Sequence, residues 1–289
     1  MRAILRLLRP HQYVKNGFVL IGPLFSQQWY LHTIVQAMLA FLAFCFMASA
    51  VYVLNDLLDV EADRQHPVKC HRPLPAGTLS MSFAWRLLGL LVAGGLTLAA
   101  LVSVWVLFFV SAYFVLNIFY SWKLKHVVIL DVFIISAGFM LRLLAGTVGL
   151  GIEPSQWLLL CGLMVTLFLG FAKRRAELLM LEGSGDTNGA TRRVLNEYSP
   201  AMLEQFIGVT AACTVLSYGL YTVAPETVAL HESTSLIYSL PFVIYGIFRY
   251  LFLLHRRSRG NDTASDLLTD RHLLITVLAW GLSILWILR

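Results

Sequence analysis

Nine apolar stretches constrain this chain more than any other feature, at about residues 14–31, 34–57, 81–102, 104–121, 128–148, 155–176, 201–223, 234–254 and 271–288. Each approaches the roughly 20 residues a helix needs to cross a hydrocarbon layer of about 30 Å. In lipid, moreover, a chain must satisfy its backbone hydrogen bonds within itself. The pattern predicts an all-α, polytopic membrane bundle of nine transmembrane helices, a single integral membrane domain over residues 1–289. Charge is correspondingly scarce, at 13% of residues against 58% hydrophobic, and the mean hydropathy is +0.73. The first stretch is the weakest, with Pro23 and the polar tail Ser26, Gln27 and Gln28, and the break at Ser103 predicts a tight hairpin. The basic amino terminus is too interrupted for a cleavable signal, so the first span is expected to stay. Cys45, Cys161 and Cys213 fall in apolar runs and Cys70 in a basic loop, a spacing that predicts neither a disulfide nor a zinc site.

Lys and Arg fall on alternate connections. The amino terminus carries Arg2, Arg6, Arg9 and Lys15, the second-to-third connection Arg64, Lys69, Arg72 and Arg86, and the fourth-to-fifth Lys123 and Lys125. The sixth-to-seventh has Lys173, Arg174, Arg175, Arg192 and Arg193, and the eighth-to-ninth has Arg249, Arg256, Arg257, Arg259 and Arg271. Of the 22 basic residues these leave Arg142, inside a span, and Arg289; the other connections hold Glu153, Glu226 and Glu232 with no Lys or Arg. The positive-inside rule then predicts a cytoplasmic-membrane protein with its amino terminus and long loops inside and its carboxyl terminus outside. A net charge of +6 suits anionic headgroups. Nothing resembles a groove-reading or base-stacking module, so no nucleic acid partner is expected.

Asn55, Asp56, Asp59 and Asp63 lie in NDLLDVEADRQHP at the end of the second stretch. On a helix, positions four apart drift by about 40° and rise about 6 Å, so Asn55, Asp59 and Asp63 share a face with Asp56 beside them. Such a ladder repels itself unless a cation joins it. Its oxygens suit Mg²⁺, which typically takes one or two carboxylates and fills its remaining positions with water and substrate phosphates. A diphosphate-handling site is one reading. The other is a solvated helix end in which Arg64 and Lys69 neutralise the acids.

Other polar residues cluster on the same side. In HPVKCHRPLPAG, Pro67, Pro73 and Pro75 bar a regular helix and project Lys69 and Arg72 from a constrained loop, as phosphate ligands or as inside-positive anchors. Asp131 and Arg142 are three turns apart, about 16 Å, so each needs another partner. For Arg142 that partner is a buried phosphate or a carboxylate elsewhere, and Gly138 and Gly146 with Ala137 and Ala145 allow close helix contacts there. Lys173, Arg174 and Glu177 sit together on the sixth span, as an interfacial anion site or an ordinary ion pair. Asp262, Asp266 and Asp270 repeat the four-residue spacing, as a second acid site or a capped helix start. His66, His71 and His126 assemble no metal site or triad, and there is no Walker loop or dinucleotide fingerprint.

The run NDLLDVEADRQHPVKCHRPLPAG resembles the first aspartate motif of the UbiA superfamily of intramembrane prenyltransferases, and the nine-span pattern agrees along nearly the whole chain. Typical members carry a second acidic motif after the sixth span; here GFAKRRAELLMLE is basic instead. With YSWKLKHVVILDVFIISAGFMLRLLAG, it is similar to the decaprenyl-phosphate phosphoribosyltransferase branch. That resemblance implies a central cavity open to the cytoplasm and a cell-envelope enzyme transferring 5-phosphoribosyl from phosphoribosyl diphosphate to a polyprenyl phosphate, releasing diphosphate. On it, Asn55, Asp56, Asp59 and Asp63 would hold Mg²⁺, the three acids acting in catalysis. Lys69, Arg72, Lys123, Lys125, Arg142, Lys173, Arg174 and Glu177 would serve substrate binding. Membrane lipids are further partners, and a homo-oligomer is compatible with the reading.

A conventional transferase moving an isoprenoid from prenyl diphosphate to an aromatic ring is the runner-up, since a fold does not fix a substrate. A transporter is the reading from another class; its inverted repeats with paired broken helices are not evident. The charge count generates its own test. A reporter fused after Ser184 is expected in the cytoplasm and one near Glu226 outside, and reversed labelling would separate the acid ladder from any cytosolic donor.

Overall fold

The computed structural model describes residues 2–26, 30–65, 69–184, 195, 197–256, 260 and 263–288. Among them seven helices are long and apolar enough to cross a membrane: Leu31–Leu58, Met81–Val102, Val104–Trp122, Leu130–Leu150, Gln156–Met180, Pro200–Val223 and Ser235–Arg256. The two terminal stretches depart from the expected nine long helices. The last is Arg271–Ile287, 17 residues. The first becomes a 3-10 run, Pro10–Leu20, followed by a short α-helix, Ile21–Phe25. A 3-10 helix rises about 2.0 Å per residue against 1.5 Å, so the 11 residues of Pro10–Leu20 reach about 22 Å where an α-helix would reach about 17 Å. Hydropathy counts residues rather than rise, and it does not register that the 3-10 run begins at Pro10, before the expected start near residue 14.

The chain forms two compact units, Met1–Pro23 with Trp29–Ser121 and Leu141–Ile152, and Leu24–Gln28 with Trp122–Met140 and Glu153–Arg289. In the first, the Leu31–Leu58 helix packs against Met81–Val102 and the Pro10–Leu20 run. Small residues permit that approach: Ala40, Ala43, Ala50, Ala84 and Ala99 are fully buried, and a Cβ on Gly95 would lie 3.3 Å from Ala43 O. Ser103 makes a one-residue extended joint (φ −167°, ψ 163°) between two helices. Its hydroxyl donates to Gly149 O at 2.7 Å and accepts Val106 N–H at 3.1 Å, which satisfies one free N–H at the start of the second helix.

In the second unit Gln156–Ser184 packs on Pro200–Val223, and Leu240–Arg256 on Arg271–Ile287. Phe168, Phe171, Leu203, Ile207, Tyr250 and Leu253 are central to its core. Ser199 caps Pro200–Val223 by accepting Met202 N–H at 3.1 Å, with Pro200 in the first turn where its missing N–H costs nothing.

Gly22 and Gly146, in the first unit, meet backbone to backbone. A Cβ at Gly146 would stand 1.8 Å from Val19 O, and one at Gly22 would stand 2.0 Å from Gly146 O. Gly146→Ala is therefore expected to cost at least about 1–3 kcal/mol, read as a lower melting temperature in detergent. Gly89→Ala, with nothing within 4 Å of the new methyl, should be neutral or stabilising, and equal melting temperatures for the two variants would remove the close contact.

Candidate functional site: a buried acid pair and its arginines

The Leu31–Leu58 helix bends at Asp59 (φ −92°, ψ 3°) and resumes as Val60–Arg64. The four-residue ladder survives the bend, because Asp59 N–H bonds Asn55 O at 2.9 Å and Asp63 N–H bonds Asp59 O at 2.8 Å. The side chains have different surroundings. Asp56 and Asp63 are buried, at 2% and 3% exposure, whereas Asp59 is exposed. Asn55 is half-buried and accepts the Ser121 hydroxyl at 2.8 Å.

Arg72 joins the two buried acids. Its Nη1 lies 2.7 Å from Asp63 Oδ2 and 3.2 Å from Asp56 Oδ1. Arg9 Nη2 reaches the same Asp56 oxygen at 2.8 Å, and Lys69 Nζ lies 3.9 Å from Asp63 Oδ1. Arg64 instead pairs with Glu61 at the surface, so it has no part in neutralising the ladder. The surroundings of Arg9 hold it in place. Its backbone stands at φ 52°, its guanidinium lies 4.8 Å from the Tyr52 ring centre, and Ser49 Oγ bonds the preceding Leu8 O at 2.9 Å.

Two carboxylates converging on one cationic nitrogen fit a divalent ion in charge and in donor chemistry. Among the described residues no three of His, Cys, Asp or Glu converge. Mg²⁺ does not require three, since amide oxygen, water and phosphate commonly complete its shell. Asn55, next to Asp56 in the chain, carries an oxygen of the amide kind, here accepting the Ser121 hydroxyl.

Arg142, also in this unit, is 6% exposed. Its Nε donates to Asn16 Oδ1 at 2.7 Å, and its guanidinium lies 4.3 Å from the Tyr113 ring centre and 5.6 Å from that of Phe44. Asn16 is fixed in turn by donating to Cys45 Sγ at 3.2 Å. An amide oxygen and two aromatic rings are thus among the partners of this intramembrane cation.

In the second unit Asp131, fully buried, meets Arg174 Nε at 2.5 Å. Arg174 Nη1 also pairs with Glu177, and Lys173 Nζ lies 3.6 Å from the same carboxylate. Tyr198 donates its hydroxyl proton to Asp131 Oδ1 at 2.8 Å and accepts Ile129 N–H at 2.5 Å. Burial pushes the phenol well above its ordinary pKa, so the proton stays on the oxygen. Ile129 has φ 69° and sits between Val128 O and Leu130 N–H, 2.8 Å apart, a conformation that costs about 1–3 kcal/mol. Arg175 points elsewhere, to Glu204 Oε1 at 2.8 Å and Leu254 O at 3.4 Å.

The run Lys173, Arg174 and Arg175 therefore splits, and of the three only Lys173 has a substantially accessible side chain, at 38%. Lys123 is exposed and Lys125 half-buried. Asp270 caps Arg271–Ile287 through Leu273 N–H at 3.0 Å and takes Arg249 in a two-point pair. The Arg249 hydrogen bonds are the main cause holding the Asp270 carboxyl down to about 2. Asp266 accepts Gly260 N–H at 2.8 Å. Both acids thus have structural partners, which favours the capped helix start. His66, Pro67, Arg192, Arg193, Arg257, Arg259 and Asp262 lie outside the described residues.

Sequence reasoning missed Ser121 and Tyr198, which lack a motif, and counted Arg9 for orientation alone. The geometry also separates Lys173 from Arg174. Arg174→Ala strips the buried Asp131 of its cation and should cost about 3–5 kcal/mol of stability. Lys173→Ala should leave the fold intact and, if the ammonium binds a substrate phosphate, cost about 1.5–3 kcal/mol in kcat/KM. Thermal melts beside steady-state kinetics check both, and a loss below about 0.5 kcal/mol would leave Lys173 an ordinary helix ion pair.

The sequence pattern of the UbiA prenyltransferase family matches residues 17–280. A decaprenyl-phosphate phosphoribosyltransferase of Corynebacterium glutamicum is 36% identical over 96% of this chain and 84% of its own. The protein of the same name from Mycolicibacterium smegmatis is 32% identical over 96% and 89%. The fold is similar to that of a UbiA homolog from Archaeoglobus fulgidus solved with GPP and Mg²⁺, with a TM-score of 0.71, 19% identity and coverage of 98% and 99%. With that breadth of match along a chain that carries an acid ladder at the end of a membrane helix, the chain belongs to the UbiA prenyltransferase family as a multi-pass membrane transferase.

Proposed function

We propose that this transferase moves 5-phosphoribosyl from phosphoribosyl diphosphate to a polyprenyl phosphate of the decaprenyl type, releasing diphosphate, at the cytoplasmic face of a nine-span protein. The observation that carries the reading is the convergence of buried Asp56 and Asp63 on Arg72, with Arg9 and Lys69 beside them. That cluster offers one divalent-ion position together with surplus cations, which suits a donor with a diphosphate and a separate 5-phosphate. The names of the relatives at 36% and 32% identity point to the same donor and acceptor.

Asn55, Asp56, Asp59 and Asp63 would hold Mg²⁺, which when bound screens the diphosphate and stabilises it as a leaving group. Arg72, Arg9 and Lys69 can turn from the acids to phosphate oxygens, keeping the charge balanced as the donor enters. Lys123, Lys125 and Lys173 are candidates for the 5-phosphate or the lipid phosphate. An oxygen of the acceptor phosphate attacks the anomeric carbon as the bond from that carbon to the diphosphate breaks. The acceptor is already an anion, so the protein need supply only position and charge stabilisation.

The test is transfer of label from phosphoribosyl diphosphate into lipid in the presence of polyprenyl phosphate and Mg²⁺. Asp59→Asn, at an exposed position, is expected to leave the melting temperature unchanged and abolish that transfer. Label entering lipid only from prenyl diphosphate with an aromatic acceptor would replace this reading with the conventional prenyltransferase. Near-normal activity of Asp59→Asn at saturating Mg²⁺ would remove Asp59 from the metal site.

A further inference from the structure

Three non-glycine residues among those described have positive φ, namely Arg9, Ile129 and Glu232, and only Ile129 is β-branched. For such a side chain the left-handed region is a true outlier. Leu130 N–H closes onto Val128 O across Ile129, the hydrogen-bond pattern of a γ-turn, whose positive-φ form is rare and strained. Backbone of this kind persists where its surroundings over-determine it, and it concentrates where function needs it. Ile129 is 39% exposed, so burial of its own side chain is incomplete. Hydrogen bonds hold it: Val132 and Phe133 N–H both reach Ile129 O, at 3.0 and 3.1 Å, and Tyr198 takes its N–H at 2.5 Å. Tyr198 is 4% exposed and is braced by Asp131, itself tied to Arg174.

The turn sets the course of the segment before it. His126 N–H bonds Lys123 O, Val127 N–H bonds Leu124 O and Asp131 N–H bonds Val127 O, at 3.2, 3.2 and 3.0 Å. Backbone order therefore runs from Lys123 to the start of the Leu130–Gly146 helix. We infer that Tyr198 is a positioning residue whose hydroxyl latches the Val128–Leu130 turn and so fixes where Lys123 and Lys125 are presented to an anionic substrate. The role of those lysines rests on the proposed function; the latch itself does not.

Tyr198→Phe keeps the ring and removes both hydrogen bonds. Without substrate, hydrogen exchange of the Leu124–Leu130 amides in the purified full chain should quicken in this variant; unchanged exchange overturns the latch. Its kcat/KM for phosphoribosyl diphosphate should fall about tenfold, mainly through KM. Ile129→Gly alone should stay within about twofold of wild type, because glycine enters the left-handed region without strain. Combined with Tyr198→Phe, it should recover most of the loss. A loss that Ile129→Gly does not rescue would mean that Tyr198 acts through Asp131 or on folding, and it overturns the inference. If the wild-type chain transfers no label, the functional reading fails while the exchange result still decides the latch.

Discussion

Two carboxylates buried at the end of a membrane helix set the terms for the first unit. Asp56 and Asp63 are nearly inaccessible, and charges in such a setting survive only when paired and hydrogen-bonded. Arg72 meets both acids from a turn held by prolines, while Arg9 arrives from the amino-terminal segment, anchored by Ser49 and Tyr52. Conformational order on both sides of the ladder therefore serves one electrostatic need. An ion and phosphates entering this cluster would exchange partners among charges already in place, avoiding a fresh desolvation of the acids.

The second unit solves a similar problem with different parts. Asp131 has no exposed surface and sits in the first turn of its helix, where the helix dipole favours an anion. Arg174 supplies the cation and Tyr198 a neutral donor that burial keeps protonated. The strained turn at Ile129 hangs on that same tyrosine. Packing, charge and backbone conformation are coupled there through a handful of atoms.

Much of this was legible in the sequence, and the rest was hidden for definable reasons. Hydropathy locates the long helices because lipid demands length, yet it cannot register that Pro10–Leu20 is stretched into a 3-10 run. The ladder follows from spacing, since successive backbone bonds carry the four-residue repeat through the bend at Asp59. Arg9 was obscured because topology already explained a basic amino terminus, and its partner Asp56 is 47 residues away. Lys173, Arg174 and Arg175 read as one basic cluster. On a helix, however, neighbours point about 100° apart, so Arg174 turns to Asp131 and Glu177 while Arg175 turns to Glu204. Tyr198 belongs to no motif, and only the strained turn it contacts draws attention to it.

The central claim is that Asp56 and Asp63 form a divalent-ion site shared with a phosphorylated donor. Titrating Mn²⁺, as a paramagnetic substitute for Mg²⁺, into the purified chain with and without phosphoribosyl diphosphate tests it directly. The account predicts ion binding that the donor tightens, with the ion tightening donor binding by the same factor, and loss of that coupling in Asp63→Asn. Ion binding indifferent to the donor, or coupling that survives Asp63→Asn, would contradict it.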